Sequence, residues 1–520
     1  MKFFSFLFFL LLNVSCNKEK NTKNSLDEKK ESLKILFTGN INAELEPCGC
    51  RQFPLGGINH MHGLISELNK KSEFIFVDSG DAFFKQNFPM NDEKESQIFR
   101  AKKLSKALSM TGLRLKVLGD QDLAFGIDSL VKIVKDQRFH LLGTNLESDK
   151  LKLIKFKKYK FNQHEIYFLG ISSSKLFTKS YTHLTVKDSI SNIMKQINAL
   201  KEHGYNKENK FHHLILISHS GMKEDKVIAK NIPEIDWIIG SHSQNFTQKP
   251  VEEGRTRIVQ MLSRNHYIGD ITFDKKSAKT TFNFHEVNQD LAQKVKDNPL
   301  TSFVDKFQKE LNIIQKSEQK KHSKVLTVTS SDMRLPTATT CMDCHDTQGV
   351  FWQKTAHSLA YITLVNNDSE NNLECLKCHS VGLKEKNGFT NVSDMIISDN
   401  KPLGDDYWKE VFSKKSPATP IRDWTDKQRL EHSEHWYNVD LKRNVSHNYS
   451  NVQCLNCHNY DPAHLDGEDP KKESFTSIKN KCLNCHNSDQ SDHWYKENND
   501  LNEKVFKAAW NKVKCPQTEE

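Results

Sequence analysis

Apolar residues are scarce in this 520-residue chain: they make up 36% of it, against 27% charged. The mean hydropathy is −0.67. Such a composition is thin for one large core closed by side chains alone, and it suits a domain whose interior is filled partly by something else. No segment after Leu12 is long and apolar enough to cross a bilayer. A stripe of basic residues interleaved with aromatics is also missing. The net charge of +9 therefore reads as a scattered, solvated lysine surface, and nucleic acid is not expected as a partner. A pyrophosphate-binding glycine loop is absent, so nothing points to a dinucleotide. The length implies two or three domains.

What is present starts at the N-terminus. Lys2 and the apolar stretch Phe3–Leu12, interrupted only by Ser5, have the form of an export signal, too short to span a bilayer. Ser15 precedes Cys16, the arrangement of bacterial lipoprotein signals, in which the cysteine is acylated. Residues 1–16 are expected to be this signal and 17–32, almost free of apolar side chains, a flexible tether. The alternative is an ordinary cleaved signal with an incidental cysteine. The expected location is extracytoplasmic, in a bacterial periplasm or cell envelope, on a membrane surface through lipid at Cys16. Twelve cysteines in that setting would ordinarily mean disulfides.

Their spacing says otherwise. Cys-x-x-Cys-His occurs four times: Cys341/Cys344/His345, Cys375/Cys378/His379, Cys454/Cys457/His458 and Cys482/Cys485/His486. Chance at this composition predicts on the order of 0.01 copies. Two thiols at this spacing can each bond one vinyl group of a single porphyrin, and the next residue then lies under the iron as an axial imidazole. Zinc ribbons pair CxxC units without requiring a histidine after each. Disulfides within each CxxC are the other alternative. Four covalently bound haem c groups are expected, with His345, His379, His458 and His486 as proximal ligands. His357 follows in "FWQKTAHSLAYITL", a helix-compatible stretch without glycine or proline, and is a distal candidate. The phrases "CMDCH", "FWQKTAHSLA", "CLKCHSVGLKEKNGF", "NVQCLNCHNYDPAHL" and "CLNCHNSD" resemble, in that order, the tetrahaem cytochrome c family of nitrifying bacteria, which accepts electrons from hydroxylamine oxidoreductase. The resemblance covers roughly Leu335 to Pro516. It implies distal ligands at His357, His447 and His464 and leaves one haem without a sixth protein ligand. His432, His435 and His493 are the further histidines that could supply it. Between the second and third motifs, "GDDYWKEVFSKK" and "TDKQRLEHSEHWYN" read as inserted helices.

Upstream, short apolar runs each end in a polar residue. "KILFTGN" reaches Asn40, "EFIFVDSGD" Asp81 and "LRLKVLGD" Asp120, while "LILISHSG" carries His219 and "WIIGSHSQ" carries His242. Runs of this kind, separated by helical stretches, predict an α/β layered domain with strands buried on both faces. Ligands of such sheets bind beyond the carboxyl ends of the strands, so these five residues should converge on one place, where Asp and His suit a divalent transition metal; a set of strand-end caps and core histidines is the alternative. The motifs "ILFTGNIN", "VDSGDAFF", "VLGDQDLAFG", "LISHSG" and "IIGSHSQ" resemble the calcineurin-like metallophosphoesterases, nearest the 5′-nucleotidase/UDP-sugar hydrolase branch. That resemblance implies a layered sandwich and a two-metal phosphoesterase site. Asp81, Asp120, His219 and His242 match its ligand positions, with Asp120 in place of an Asn. Asn40, Asn42 and Gln244 replace ligands of the other metal, and Gln121 stands at the leaving-group histidine. At most one well-formed metal site is therefore expected, and nucleotidase activity is not. Asn40, Cys48 and Cys50 are weaker metal candidates, with His60 and His62 shortly after. Free thiols or a Cys48–Cys50 disulfide are the simpler reading of that pair.

The expected order is thus signal (1–16), tether (17–32), metallophosphoesterase-like α/β domain (33–287), connecting amphipathic helix and linker (288–330), and a mostly α, haem-packed cytochrome domain (331–520). The expected function is electron transfer, or redox chemistry on a small molecule, with periplasmic or membrane redox proteins as partners. A phosphoester hydrolase tethered to a cytochrome is one alternative. A non-catalytic docking module presenting haems to a redox partner is the other.

Overall fold

The computed structural model describes residues 30–47, 54–88, 90–322, 334–465, 467–469, 473–488, 490–496 and 500–516. Cys16, Cys48 and Cys50 lie outside them.

The first strands and helices in chain order are β1 (Ser32–Thr38), α1 (Ile58–Asn69), β2 (Glu73–Asp78), α2 (Lys94–Met110), β3 (Leu113–Lys116), α3 (Gly126–Val134), β4 (His140–Leu142), β5 (Leu146–Glu147), β6 (Leu153–Ile154), β7 (Lys157–Phe161) and β8 (His164–Ser172). Then come β9 (Thr185–Val186), α4 (Ser189–Glu202), β10 (His212–His219), α5 (Met222–Asn231), β11 (Trp237–Gly240), β12 (Val251–Glu253), β13 (Thr256–Gln260), β14 (Tyr267–Asp274) and β15 (Thr280–Glu286).

Two sheets form, ordered β15-β14-β1-β2-β3-β4-β6 and β12-β13-β11-β10-β8-β7. Their centres are parallel: β1 with β2, β2 with β3, and β8, β10, β11 and β13 in sequence. The sheets face each other through Ile35, Phe37, Val77, Phe168, Ile217 and Ile239. Helices α1, α2 and α3 cover the outer face of the first sheet, and α4 and α5 that of the second. The result is a helix–sheet–sheet–helix sandwich, the α/β class expected. Burial on both faces explains why β10 and β11 are nearly continuous apolar runs.

Helix α6 (Pro299–His322) follows. Leu300, Val304, Phe307 and Leu311 are buried on it and join the core beneath α2, where Phe307 stacks on Phe99. The chain beyond is mostly helical, with helices at Ala338–Met342, Asp346–Gln353, Ala360–Val365, Leu373–His379, Asp405–Val411, Asp426–Lys442, Phe475–Cys485 and Glu503–Val513. A small sheet joins Lys401–Pro402, Ile396–Ser398 and Val445–Asn448. The inserted helix Asp426–Lys442 starts at a capping box in which Thr425 and Gln428 satisfy each other's backbone N–H groups.

Residues 335–449 have their own core, including Leu359, Tyr361, Leu376, Tyr407 and Trp436. After Tyr449, Phe506 is the single buried hydrophobic side chain among the described residues. A chain segment that folds with so little buried apolar surface needs another source of burial.

Candidate functional site

The N-terminal cluster lies where the parallel strands end. Asp81 follows β2, Asp120 follows β3, His219 closes β10 and His242 follows β11. One ligand-type atom from each lies within 4.8 Å of the others. His219 Nε2 is 3.2 Å from Asp81 Oδ2 and 3.4 Å from Asp120 Oδ1, and His242 Nδ1 is 3.5 Å from Asp120 Oδ1. Yet Asp120 Oδ1, His219 Nε2 and His242 Nδ1 are all buried without a hydrogen-bond partner. Buried polar atoms left unpaired are costly, and orphans converging at one point fit a cation between them.

Backbone geometry fixes this arrangement. Asp81 and His242 adopt positive φ of 55° and 74°, conformations that cost about 1–3 kcal/mol each and recur at functional sites. Gly80 and Gly119 are required by close approach: a Cβ on Gly80 would lie 2.4 Å from His219 Nδ1, and one on Gly119 would lie 2.0 Å from Asp81 Oδ1. His219 Nδ1 sits 2.9 Å from the Ser79 carbonyl, to which it donates, leaving Nε2 as the ligand nitrogen. Asn87 donates to Asp120 Oδ2 at 3.2 Å. Burial opposes charge on His219, but Asp81 and Asp120 outweigh it and raise the imidazole to about 10. Burial likewise opposes charge on Asp120, and its contacts with His219 and His242 hold it well below the usual carboxylate range. The site is built to attract positive charge.

The amides behave differently. Asn40 Oδ1 accepts from the His242 backbone N–H at 3.0 Å and its Nδ2 donates to the Leu262 carbonyl, so Asn40 orients the His242 loop. In this arrangement it is a positioning residue. Asn42 Oδ1 and Gln121 Oε1 are buried without partners. His60 Nδ1 donates to the Gly56 carbonyl at 2.7 Å.

Sequence reasoning missed Ser79, Asn87 and a buried ion triplet beneath the site. Lys116 Nζ lies 2.6 Å from Asp78 and 3.0 Å from Asp122. Asp122 also accepts from the backbone N–H groups of Ala82, Phe83 and Gly119, tying together the loops that carry Asp81 and Asp120.

In the C-terminal region each Cys-x-x-Cys-His follows a helical turn. The histidine backbone N–H donates to the carbonyl of the first cysteine at 3.0 Å in His345, 2.8 Å in His458 and 2.9 Å in His486. That turn puts both thiols and the imidazole on neighbouring positions of one face. None of the described cysteines forms a disulfide.

Two histidine pairs stand out. The rings of His345 and His464 are 5.9 Å apart centre to centre, and those of His357 and His486 are 6.4 Å apart. Two imidazoles sharing one metal ion through nitrogens at about 2 Å have ring centres about 6 Å apart. Nδ1 of His464 donates to the Glu468 carbonyl and Nδ1 of His379 to the Ala360 carbonyl, so Nε2 is the ring nitrogen available as a ligand atom in each. His486 Nδ1 contacts Ser491 Oγ at 2.8 Å, and its ring stacks 4.4 Å from Trp494. Burial lowers His357 and His379, and burial together with His357 brings His486 down to about 4. All three are neutral near pH 7, as ligand imidazoles must be.

His447 is buried beside Tyr449, with Nδ1 3.1 Å from Ser446 Oγ. His432 reaches the Gln428 and Lys415 carbonyls through its two nitrogens, and His435 Nε2 reaches those of Glu410 and Val411. These contacts brace the inserted helices. His493 is exposed.

Residues 340–400 match the family model Cytochrome c554 and c-prime, a match that implies haem c. The N-terminal region is similar to nucleotidases. The 5′-nucleotidase of Mus musculus is 20% identical over 232 residues, which is 41% of this chain and 38% of that protein. The NAD 5′-nucleotidase of Haemophilus influenzae is 24% identical over 232 residues, 41% of this chain and 36% of that protein. The crystal structure of a 5′-nucleotidase precursor from Thermus thermophilus aligns with a TM-score of 0.46 and 17% identity, over 54% of this chain and 59% of the other. The chain thus spans about two fifths of the length of these two curated relatives.

Proposed function

We propose that this chain is an exported electron-transfer protein that carries four haem c groups on its Cys-x-x-Cys-His segments. Haem c, when bound, supplies a one-electron iron couple at each segment. Thioether bonds would run through Cys341 and Cys344, Cys375 and Cys378, Cys454 and Cys457, and Cys482 and Cys485. His345, His379, His458 and His486 would be proximal. His464 would share the metal of His345, and His357 that of His486. His447 would serve one of the two remaining haems, leaving the last without a distal histidine and open to a small molecule.

The observation that carries this reading is the spacing of the two histidine pairs, with His464 anchored through Nδ1 and the buried His357 and His486 held neutral. The scant buried apolar surface after Tyr449 supports it further, since a macrocycle would supply what side chains do not. Export through residues 1–16, lipidation at Cys16, and periplasmic or membrane redox partners complete the proposal. The test is a haem count on purified protein, expected at four per chain. His464→Ala should convert one haem from low to high spin without changing that count. Two haems or fewer, or zinc in their place, would overturn the reading.

A second reading rests on Asp81, Asp120, His219 and His242. Two carboxylates and two imidazoles would hold one divalent transition metal, with Lewis acidity its contribution when bound. The amides at positions 40, 42 and 244 leave the second metal of a phosphoesterase pair without its anionic and imidazole ligands, and Gln121 stands where the leaving-group histidine would be. The expected result is at most one manganese per chain and no phosphate release from nucleotides. Release that disappears in His219→Ala would make hydrolysis the function instead.

A further inference from the structure

At the end of the sandwich opposite the metal-type cluster lies a cleft of about 370 Å³. Its lining comes from the first residues of β2, β3 and β4 and from edge strand β7. Five cationic or basic side chains face it: Arg114, Arg138, His140, Lys157 and Lys160. Glu73 is the one carboxylate among the lining residues, and Phe74 and Tyr159 add aromatic surface. Arg114, Arg138, Lys157 and Lys160 form no ion pair with any described residue, although the surface elsewhere is laced with Lys–Glu and Lys–Asp pairs. His140 is lowered by burial and by Lys157 and Lys152, as expected where positive potential accumulates. Lysines on an edge strand prevent unwanted pairing, which accounts for Lys158 and Lys160. That argument does not reach Arg114, Arg138 or His140, which come from other elements.

A second observation concerns where the chain enters the fold. Leu33, the second residue of β1, lines the same cleft. The chain preceding the sandwich therefore arrives at the rim of this basic face.

We propose that this face docks on an anionic phospholipid surface, with lipid phosphates seated in the cleft among Arg114, Arg138, Lys157 and Lys160. Arginine forks bind phosphate oxygens bidentately and lysines add point charge. The metal-type cluster, at the carboxyl ends of the same strands, then faces away from the membrane. The proposal holds whether or not Cys16 is lipidated.

The test is co-sedimentation of the haem-loaded full chain with vesicles of phosphatidylcholine alone or with one fifth phosphatidylglycerol. The ratio of the two partition coefficients cancels any contribution of an acyl chain. One basic group near an anionic surface changes partitioning about fivefold. Arg114→Gln/Arg138→Gln should lower the ratio more than tenfold. Lys102→Gln/Lys106→Gln removes the same charge from exposed positions on α2 and should lower it less than twofold. Equal losses in the two variants would reduce the effect to net charge and overturn the proposal. So would an unchanged ratio in both. Calorimetric titration with inorganic phosphate separates the sources: tight binding of phosphate alone, with no preference for the anionic vesicles, would assign the cleft to a soluble anion instead.

Discussion

Lys116 is fully enclosed, with Asp78 and Asp122 as its counter-charges and the Phe83 ring 4.7 Å away. Its positive charge is what allows two carboxylates to sit together without water. Even so, burial raises Asp78 to about 6, and the neighbouring Lys116 only partly offsets this. Lys116→Met would keep the packing volume and remove the cation. Breaking a buried pair by deleting one partner costs about 3–5 kcal/mol, because the remaining charge is stranded. Chemical denaturation of Lys116→Met should show a loss of that size. Asp78→Asn should cost much less, since Asp122 still faces the lysine. The Lys116→Met variant should also bind manganese more weakly, because Asp122 holds the loops of Asp81 and Asp120 in place. Native manganese affinity in Lys116→Met would show that the triplet serves stability alone.

At the level of elements, the layered α/β class was legible because β10 and β11 are short, continuously apolar and bounded by polar residues. The convergence of Asp81, Asp120, His219 and His242 was legible for the same reason: each stands where a parallel strand ends. Lys116 was not. By the period of two it shares a face with Arg114, yet Arg114 is exposed at the start of β3 while Lys116 is sealed by loops distant in sequence. The stretch around His357 read as one helix. The structure breaks it, ending a helix at Gln353, turning at Thr355 and placing His357 on a short 3₁₀ segment, Ala356–Leu359. The Thr355 hydroxyl bonds back to the Trp352 carbonyl and competes with helix propagation. That break faces His357 toward His486, more than a hundred residues away, and no local pattern encodes such a pairing. Arg114, Arg138, His140 and Lys157 likewise read as scattered surface until two sheets brought them around one cleft.

The whole molecule is joined through α6. One side of this helix belongs to the sandwich core, where Phe307 and Leu311 are buried. Its polar residues reach the haem-motif region: Asn312 Oδ1 accepts from both the backbone N–H and the side chain of Asn371, and Asn312 Nδ2 donates to Glu370 at 2.7 Å. Gln319 accepts from the Val392 N–H and donates to the Asn371 carbonyl. Asn312 and Asn371 are buried, so this seam cannot exchange its bonds for water without opening. Asn312→Ala would strand two donors of Asn371 and the Glu370 carboxylate, at about 1–3 kcal/mol. For a unit of this size that corresponds to a drop of about 5 °C in the transition followed by haem absorbance. The sandwich, whose apolar contacts with α6 are untouched, should keep its own transition, so that one cooperative melt resolves into two in calorimetry. A single transition lowered as a whole would mean that the two regions share their stability through more than this helix. An unchanged melt would mean that the seam carries no coupling at all.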